Sequence, residues 1–330
     1  MMMKKTSDKY AYVFLMFGGT RYLMGVLVAA YSIIRYKTKH DIVCMVTDDV
    51  PISALNELKK LNIKIKKVPY LEYKIKKRKM NKRYENWISK SFTKWNCLNL
   101  TEYKKILFLD ADIFAVKPID SIFRYKAPLG VFANGHDMHH VKSNNVKNYY
   151  TRDKKPLKFL EEIRKKDINK ALRKKGFVPT ATSVFLEPNK KHFKNFKKMM
   201  KKMQPFGFNS YSGYDEESLI YFMSISKLGP QLTWRNLTEK YTFILWLYNQ
   251  QKRDDKDVKI IDYLGNDKPW ELKRNEFPDV EIWYGILGEM LKKYPTLDLN
   301  NIPCKYIKDA YKKNDYTNKY YKYFKIKPKN

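Results

Sequence analysis

Residues 105–114 read KILFLDADIF, and the fold turns on how this stretch is read. Ile106-Leu107-Phe108-Leu109 is a short, continuous apolar run, the pattern of a strand buried on both faces. Two carboxylates one residue apart follow it, Asp110 and Asp112. Burying one unpaired carboxylate is costly, and a second like charge beside it raises the cost. If the strand persisted, both side chains would point to one face, because side chains repeat every two residues. Paired oxygens at the carboxyl end of an apolar strand suit a hard divalent cation. The chain carries its own control. Asp255-Lys256-Asp257 lies inside the charged run QQKRDDKDVK, where a solvated loop is the plain reading.

Upstream of this stretch the chain alternates between strand-like and helix-like segments. Tyr12–Phe17 reads as a first strand and Tyr22–Tyr36 as a helix. Ile42–Thr47 is a strand and Ser53–Leu61 a helix. Ile63–Val68 is again a strand, and a helix over Asn86–Leu100 leads into the strand that ends at Asp110. Stacked strand–helix–strand units of this kind make an α/β fold with a mixed, mostly parallel sheet flanked by helices. Ligands bind such sheets beyond the carboxyl ends of the strands. Gly18-Gly19 and Asp110/Asp112 both fall at such ends and are expected to share one ligand. The glycines permit close backbone approach, and the helix start behind them favours phosphate. The pair is not a dinucleotide G-x-G-x-x-G.

Composition sets the outer limits. The chain has 330 residues and is 44% apolar, enough for one large α/β domain or two modest ones and too apolar for a disordered polycation. The 67 Lys and Arg against 34 Asp and Glu give a formal charge of +33. Such a field attracts nucleic acid, anionic membrane, acidic glycans and phosphorylated small molecules alike. Abundant Lys, Asn, Ile and Tyr also fit AT-rich coding, so codon bias accounts for part of the excess. Cys44, Cys97 and Cys304 are scattered and odd in number, which implies reduced thiols, no disulfide framework and a cytoplasmic setting. The apolar stretch 10–34 is split by Gly18-Gly19-Thr20-Arg21 into pieces too short to span a bilayer, so no transmembrane segment is expected.

Further along, KIKKRKMNKR (74–83) has seven basic residues in ten and reads as a solvated loop or as a flap over an anionic ligand. A second basic region occupies 135–178, with a helix expected from Leu157. Its His136, His139 and His140 lack a completing carboxylate or cysteine pattern for a metal. VFLEP (184–188) reads as a strand followed by a basic helix. SGYDEES (212–218) opens another helix with acidic residues near its amino end, and the tail 305–330 carries nine lysines and six tyrosines.

Taken in order, these motifs resemble glycogenin and its relatives, the family 8 retaining glycosyltransferases with the GT-A fold. The resemblance covers most of residues 11–133 and 177–290. MFGGTRYLMGVLVAAYSI (16–33) resembles the family's nucleotide-binding start, which implies donor contacts from Met16, Gly18, Gly19 and Tyr22, the last near the uracil. FTKWNCLNLTEYKKILFLDADIF (92–114) is similar to the family's lysine helix and Asp-x-Asp strand. It implies Lys94, Asp110, Ala111 and Asp112 at the donor. Arg83 is implied as a diphosphate contact from the basic loop. SGYDEES stands where the family has Gly-Gly-Asp-Gln, which makes Asp215 and Glu216 the implied catalytic pair. LGNDKPW (264–270) resembles Leu-Gly-x-x-Lys-Pro-Trp, with Gly265 and Lys268 on the diphosphate.

The departures are specific. Thr180-Ala181-Thr182 replaces the family's Asn-Ser/Ala-Gly, so Thr180 and Ala181 are carried over as sugar contacts by position only. Glu216 replaces Gln, and Asp262 stands where the family's third metal ligand is His. The resemblance implies Mn²⁺, with Mg²⁺ as the alternative, held by Asp110, Asp112 and Asp262. It implies one GT-A domain with a nucleotide-binding half (10–134), a basic insertion (135–178), an acceptor and catalytic half (179–304) and a basic tail (305–330). The expected activity moves a hexose, glucose first, from a UDP-sugar to a protein or glycan acceptor, with a homodimer among the expected assemblies and no specific nucleic-acid partner. Two rival readings remain at this point: a basic nucleic-acid-binding protein, and a nucleotidyltransferase using the aspartates as a two-metal site.

Overall fold

Along β1 (Tyr10–Met16) every residue after Tyr10 is buried, and alternate side chains enter two different cores. Tyr12, Phe14 and Met16 join one apolar cluster; Ala11, Val13 and Leu15 join the other. A strand covered on both faces reads as a continuous apolar run, and β2 (Asp41–Val46) and β4 (Lys105–Leu109) behave the same way. The computed structural model describes residues 8–73, 87–132, 157–173, 180–202, 214–243, 257–263, 268–273, 278–298 and 304–311.

With β3 (Lys64–Lys67), β6 (Leu129–Val131), β7 (Glu162–Ile163), β8 (Thr180–Leu186) and β9 (Trp234–Asn236), these strands form one eight-stranded sheet in the order β3-β2-β1-β4-β8-β6-β9-β7. The first four run parallel. β8 runs antiparallel to both β4 and β6, β9 is parallel to β6, and β7 closes the far edge antiparallel to β9. Strand order reverses between β1 and β4, which opens a crevice at their carboxyl ends. A second, two-stranded sheet pairs β5 (Ile113–Ala115) with β10 (Ile260–Asp262).

Helices cover both faces. Helix α1 (Leu23–Ile34), α2 (Ile52–Lys60) and α6 (Pro278–Lys293) supply the first core. Helix α3 (Lys165–Arg173), α4 (Lys190–Lys202) and α5 (Tyr214–Ser224) supply the second. The apolar stretch 10–34 is therefore a core strand, a glycine turn and a core helix. Among the described residues no helix is long and apolar enough to cross a membrane.

Three expectations change. Residues Ile88–Asn99 wind as successive 3₁₀ turns rather than as an α-helix. The three-residue repeat eclipses Phe92, Trp95 and Leu98 in one row, and all three are fully buried. No helix begins at Leu157: Leu160 adopts a positive φ of 63°, its N–H donates to Asn236 O (2.8 Å), and Asn236 N–H donates to Glu161 O (2.9 Å). Sheet pairing there outweighs helical propensity, and α3 starts only after β7. Finally, Asp110 and Asp112 do not share the face of a continuing strand. β4 ends at Leu109, and Asp110-Ala111-Asp112 is the turn that hands the chain from the large sheet to the small one.

Candidate active site

After β1 the chain turns through Gly18 and Gly19, at φ 72° and 86°, left-handed backbone that glycine adopts without strain. Gly18 N–H donates to Asp49 Oδ2 (3.0 Å), and the Tyr70 hydroxyl donates to the same oxygen (2.8 Å). Thr47 Oγ1 donates to Asp49 Oδ1. Burial works to raise the Asp49 pKa, but these hydrogen bonds outweigh it and hold the carboxyl below its usual range. The next residues reach across the crevice. Arg21 pairs with Glu271 (3.2 Å), and Tyr22 meets the Trp270 ring edge-on, centroids 5.5 Å apart.

The aspartate turn is held at both ends by backbone. Asp110 N–H donates to Thr182 O of β8 (3.1 Å), and Tyr263 N–H donates to Asp112 O (3.0 Å). The β5–β10 register sets Asp262 opposite Ile113, one residue beyond Asp112. Two lysines enter this carboxylate group. Lys94, from the 3₁₀ segment, reaches Asp110 Oδ1 (3.4 Å) and Asp215 Oδ2 (3.1 Å). Lys268 donates to Asp112 Oδ2 and to Tyr263 O (2.9 Å). Asp215 lies in the first turn of α5, and its carbonyl accepts the Trp95 indole N–H (2.9 Å).

Burial is the largest influence on Asp110, Asp262, Lys94 and Lys268. It pushes Asp110 up to about 6, with Asp112 and Asp215 adding to the rise and Lys94 opposing it. Burial and then Asp112 drive Asp262 well above the usual carboxylate range. For Lys94 burial favours the neutral form, but Asp110, Asp215 and Glu216 outweigh it and the pKa rises. Lys268 behaves likewise, held charged chiefly by Asp112.

The fold thus gathers Tyr22, Lys94, Asp110, Asp112, Asp215, Glu216, Asp262 and Lys268 at one crevice. Ala111 is buried inside the turn, and the Met16 side chain is wholly buried in the core. Thr180 and Ala181 open β8, with Thr180 opposite Val131. Arg83, Gly265, the basic run 74–83, the three histidines at 136–140 and the tail from 312 lie outside the described residues. Asp49, Trp95 and the Arg21–Glu271 pair went unread. Asp49 was within reach, since it follows β2 much as Asp110 follows β4.

Among the described residues, no three His, Cys, Asp or Glu side chains are grouped, as they stand, so as to hold a metal ion. The donor set nevertheless fits a cation. Both Asp262 oxygens are buried and have no hydrogen-bond partner among the described residues. A buried carboxyl left so is costly unless an ion completes it.

The model of "Glycosyl transferase family 8" matches residues 14–273. The chain belongs to glycosyl transferase family 8. It is therefore a glycosyltransferase, and enzymes of family 8 generally use a divalent metal. An uncharacterized protein of Acanthamoeba polyphaga mimivirus, R707, is 28% identical over 269 residues, covering 80% of this chain and 83% of its own. Inositol phosphorylceramide glucuronosyltransferase 1 of Arabidopsis thaliana is 33% identical over 118 residues, 36% of this chain and 21% of its own. UDP-glucuronate:xylan alpha-glucuronosyltransferase 2 of the same plant is 24% identical over 121 residues, 37% of this chain and 19% of its own. These two matches span about a fifth of each plant protein. An active-site mutant of LgtC shares the GT-A fold at a TM-score of 0.54 and 11% identity, covering 84% of this chain and 95% of that one. The glycosyltransferase GlyE of Streptococcus pneumoniae does so at 0.51 and 14%, covering 88% and 64%.

Proposed function

We propose that this family 8 enzyme transfers a hexose, glucose first, from a UDP-sugar to a protein or glycan acceptor with retention of configuration. The observation that carries the reading is the meeting of Asp110, Asp112 and the unpartnered Asp262 with Lys94, Lys268 and Asp215 at the switch-point crevice. Mn²⁺ or Mg²⁺ held by Asp110, Asp112 and Asp262 would act there as a Lewis acid on a diphosphate.

Breaking a nucleotide–sugar bond leaves negative charge on the diphosphate, so positive charge must already stand where it develops. Lys268 is buried and charged at that point. Lys94 fixes the Asp215 carboxylate, and the Trp95 bond to the Asp215 carbonyl holds the start of α5 against the 3₁₀ segment. In this reading Asp215 and Glu216 would lie beside the reacting sugar. Gly18 and Gly19 leave room for the nucleotide, and the Asp49 bonds keep that turn in place.

A second donor, UDP-glucuronate, is supported by the similarity to UDP-glucuronate:xylan alpha-glucuronosyltransferase 2. UDP release measured with Mn²⁺ and UDP-glucose, UDP-glucuronate, UDP-galactose, UDP-xylose or UDP-GlcNAc ranks the donors. Metal-independent RNA binding without any UDP release would sink the reading.

A further inference from the structure

We propose that Gly25 is a positioning residue of the donor site, setting how closely α1 approaches the Asp110–Asp112 turn, with Trp270 held against both. The proposal rests on the reading of those aspartates given above. Glycine inside a helix costs about 0.5–1 kcal/mol relative to alanine, and α1 is otherwise LM-VLVAAYSII, a run of apolar side chains buried almost throughout. The backbone at Gly25 is helical, so what glycine provides there is space. A Cβ at this position would fall inside van der Waals contact of the Ala111 carbonyl oxygen and 2.7 Å from two ring atoms of Trp270.

Neither neighbour can give way cheaply. Ala111 is backbone between the two aspartates, pinned by the Asp110-to-Thr182 and Tyr263-to-Asp112 bonds. The Trp270 ring is buried between Tyr22 (5.5 Å) and Trp283 (6.1 Å). Seven residues further along α1, about 10 Å by helical rise, Ser32 Oγ accepts the Ala115 N–H (2.8 Å) and ties the helix to β5. With that end fixed, a methyl group at 25 must tilt the amino end of α1 outward or displace the turn. Displacing the turn moves Asp110 and Asp112 themselves, and tilting the helix withdraws the wall against which the Ala111 carbonyl and Trp270 pack. Metal ligands tolerate only about 0.2 Å of error, so the site should register a shift that the fold survives.

Gly288 supplies an internal control. A Cβ there would lie 2.5 Å from the Ala310 carbonyl oxygen, a comparable crowding of α6 against residues 307–311 rather than against the aspartates. Mn²⁺ affinity would be measured by the EPR signal of free Mn²⁺ with saturating UDP, alongside thermal melts, for wild type, Gly25→Ala and Gly288→Ala. Both variants should melt lower, and only Gly25→Ala should lose Mn²⁺ affinity, by tenfold or more. Wild-type affinity in a destabilised Gly25→Ala, or equal losses in the two variants, would overturn the proposal. If Gly25→Ala does not fold, Trp270→Phe empties the same contact from its other side and should show the same selective loss. Failure of the wild type to bind Mn²⁺ would instead bring down the aspartate reading and this proposal with it.

Discussion

Lys268 donates to the carboxylate of Asp112 across a sequence separation of 156 residues. The ammonium group sits where a cation belongs, beside an Asp262 carboxyl that has no hydrogen-bond partner among the described residues. Metal and diphosphate together should take over this arrangement, the metal taking Asp112 and the phosphate taking Lys268. In Lys268→Met, UDP affinity with Mn²⁺ should fall about 10- to 100-fold, the worth of a hydrogen bond to a charged group. Mn²⁺ alone should bind more tightly, since Asp112 is then free of its competitor. Isothermal titration with each ligand separately reads both changes, and unchanged UDP affinity would refute the exchange.

Asp262 is buried, and neither of its carboxyl oxygens has a hydrogen-bond partner among the described residues. Its unpaired, buried carboxyl costs on the order of 1–3 kcal/mol in the metal-free protein. Asp262→Ala should keep or raise the melting temperature of the metal-free protein while losing metal-dependent transfer. A large drop in melting temperature would show that the carboxyl has a structural partner.

Replacing Asp262 with histidine tests what the residue contributes to metal choice. A carboxylate is a harder ligand than imidazole and adds one negative charge, which suits Mg²⁺ better. The ratio of Mg²⁺- to Mn²⁺-supported activity should therefore fall in Asp262→His. A constant ratio would remove Asp262 from the metal.

Asp49 gathers Gly18, Tyr70 and Thr47 on one carboxylate. Asp49→Ala frees the glycine turn without touching the aspartates or lysines of the reacting centre. KM for the donor should rise about tenfold, equivalent to roughly 1.4 kcal/mol of lost ground-state binding, with kcat nearly unchanged. Steady-state kinetics distinguish this from a loss confined to kcat.

Tyr241 should receive no sugar. It is 5% exposed, and its ring stacks on Phe159 with centroids 6.1 Å apart. Intact-mass spectrometry after incubation with donor should show no hexose on this residue.

Much of the fold is legible in the sequence alone. The strands β1, β2 and β4 declare themselves because a strand covered on both faces has no polar alternation to hide it. Asp262 is singled out only through the resemblance, which sets it where the family has a histidine, six residues before Lys268. The two-residue β7 has no period to detect, so the polar stretch after Leu157 looked helical until Trp234 and Asn236 were there to pair with it. The Lys94–Asp215 pair joins residues 121 apart in number and opposite in charge, and no local pattern announces such a contact. Gly25 escaped for a related reason: a glycine within an apolar helix looks like a flaw until its neighbours are known.

The outermost strand, β3, carries Lys64, Lys66 and Lys67, each ion-paired with an acidic residue: Asp41, Glu102 and Asp48 respectively. An edge strand exposes unpaired backbone groups that another chain can extend, and lysines along it disfavour that docking. For a second strand to add there, it would have to approach a row of ammonium groups already committed to their own partners. Extension of the sheet by a second copy of this enzyme is thus disfavoured at the β3 edge.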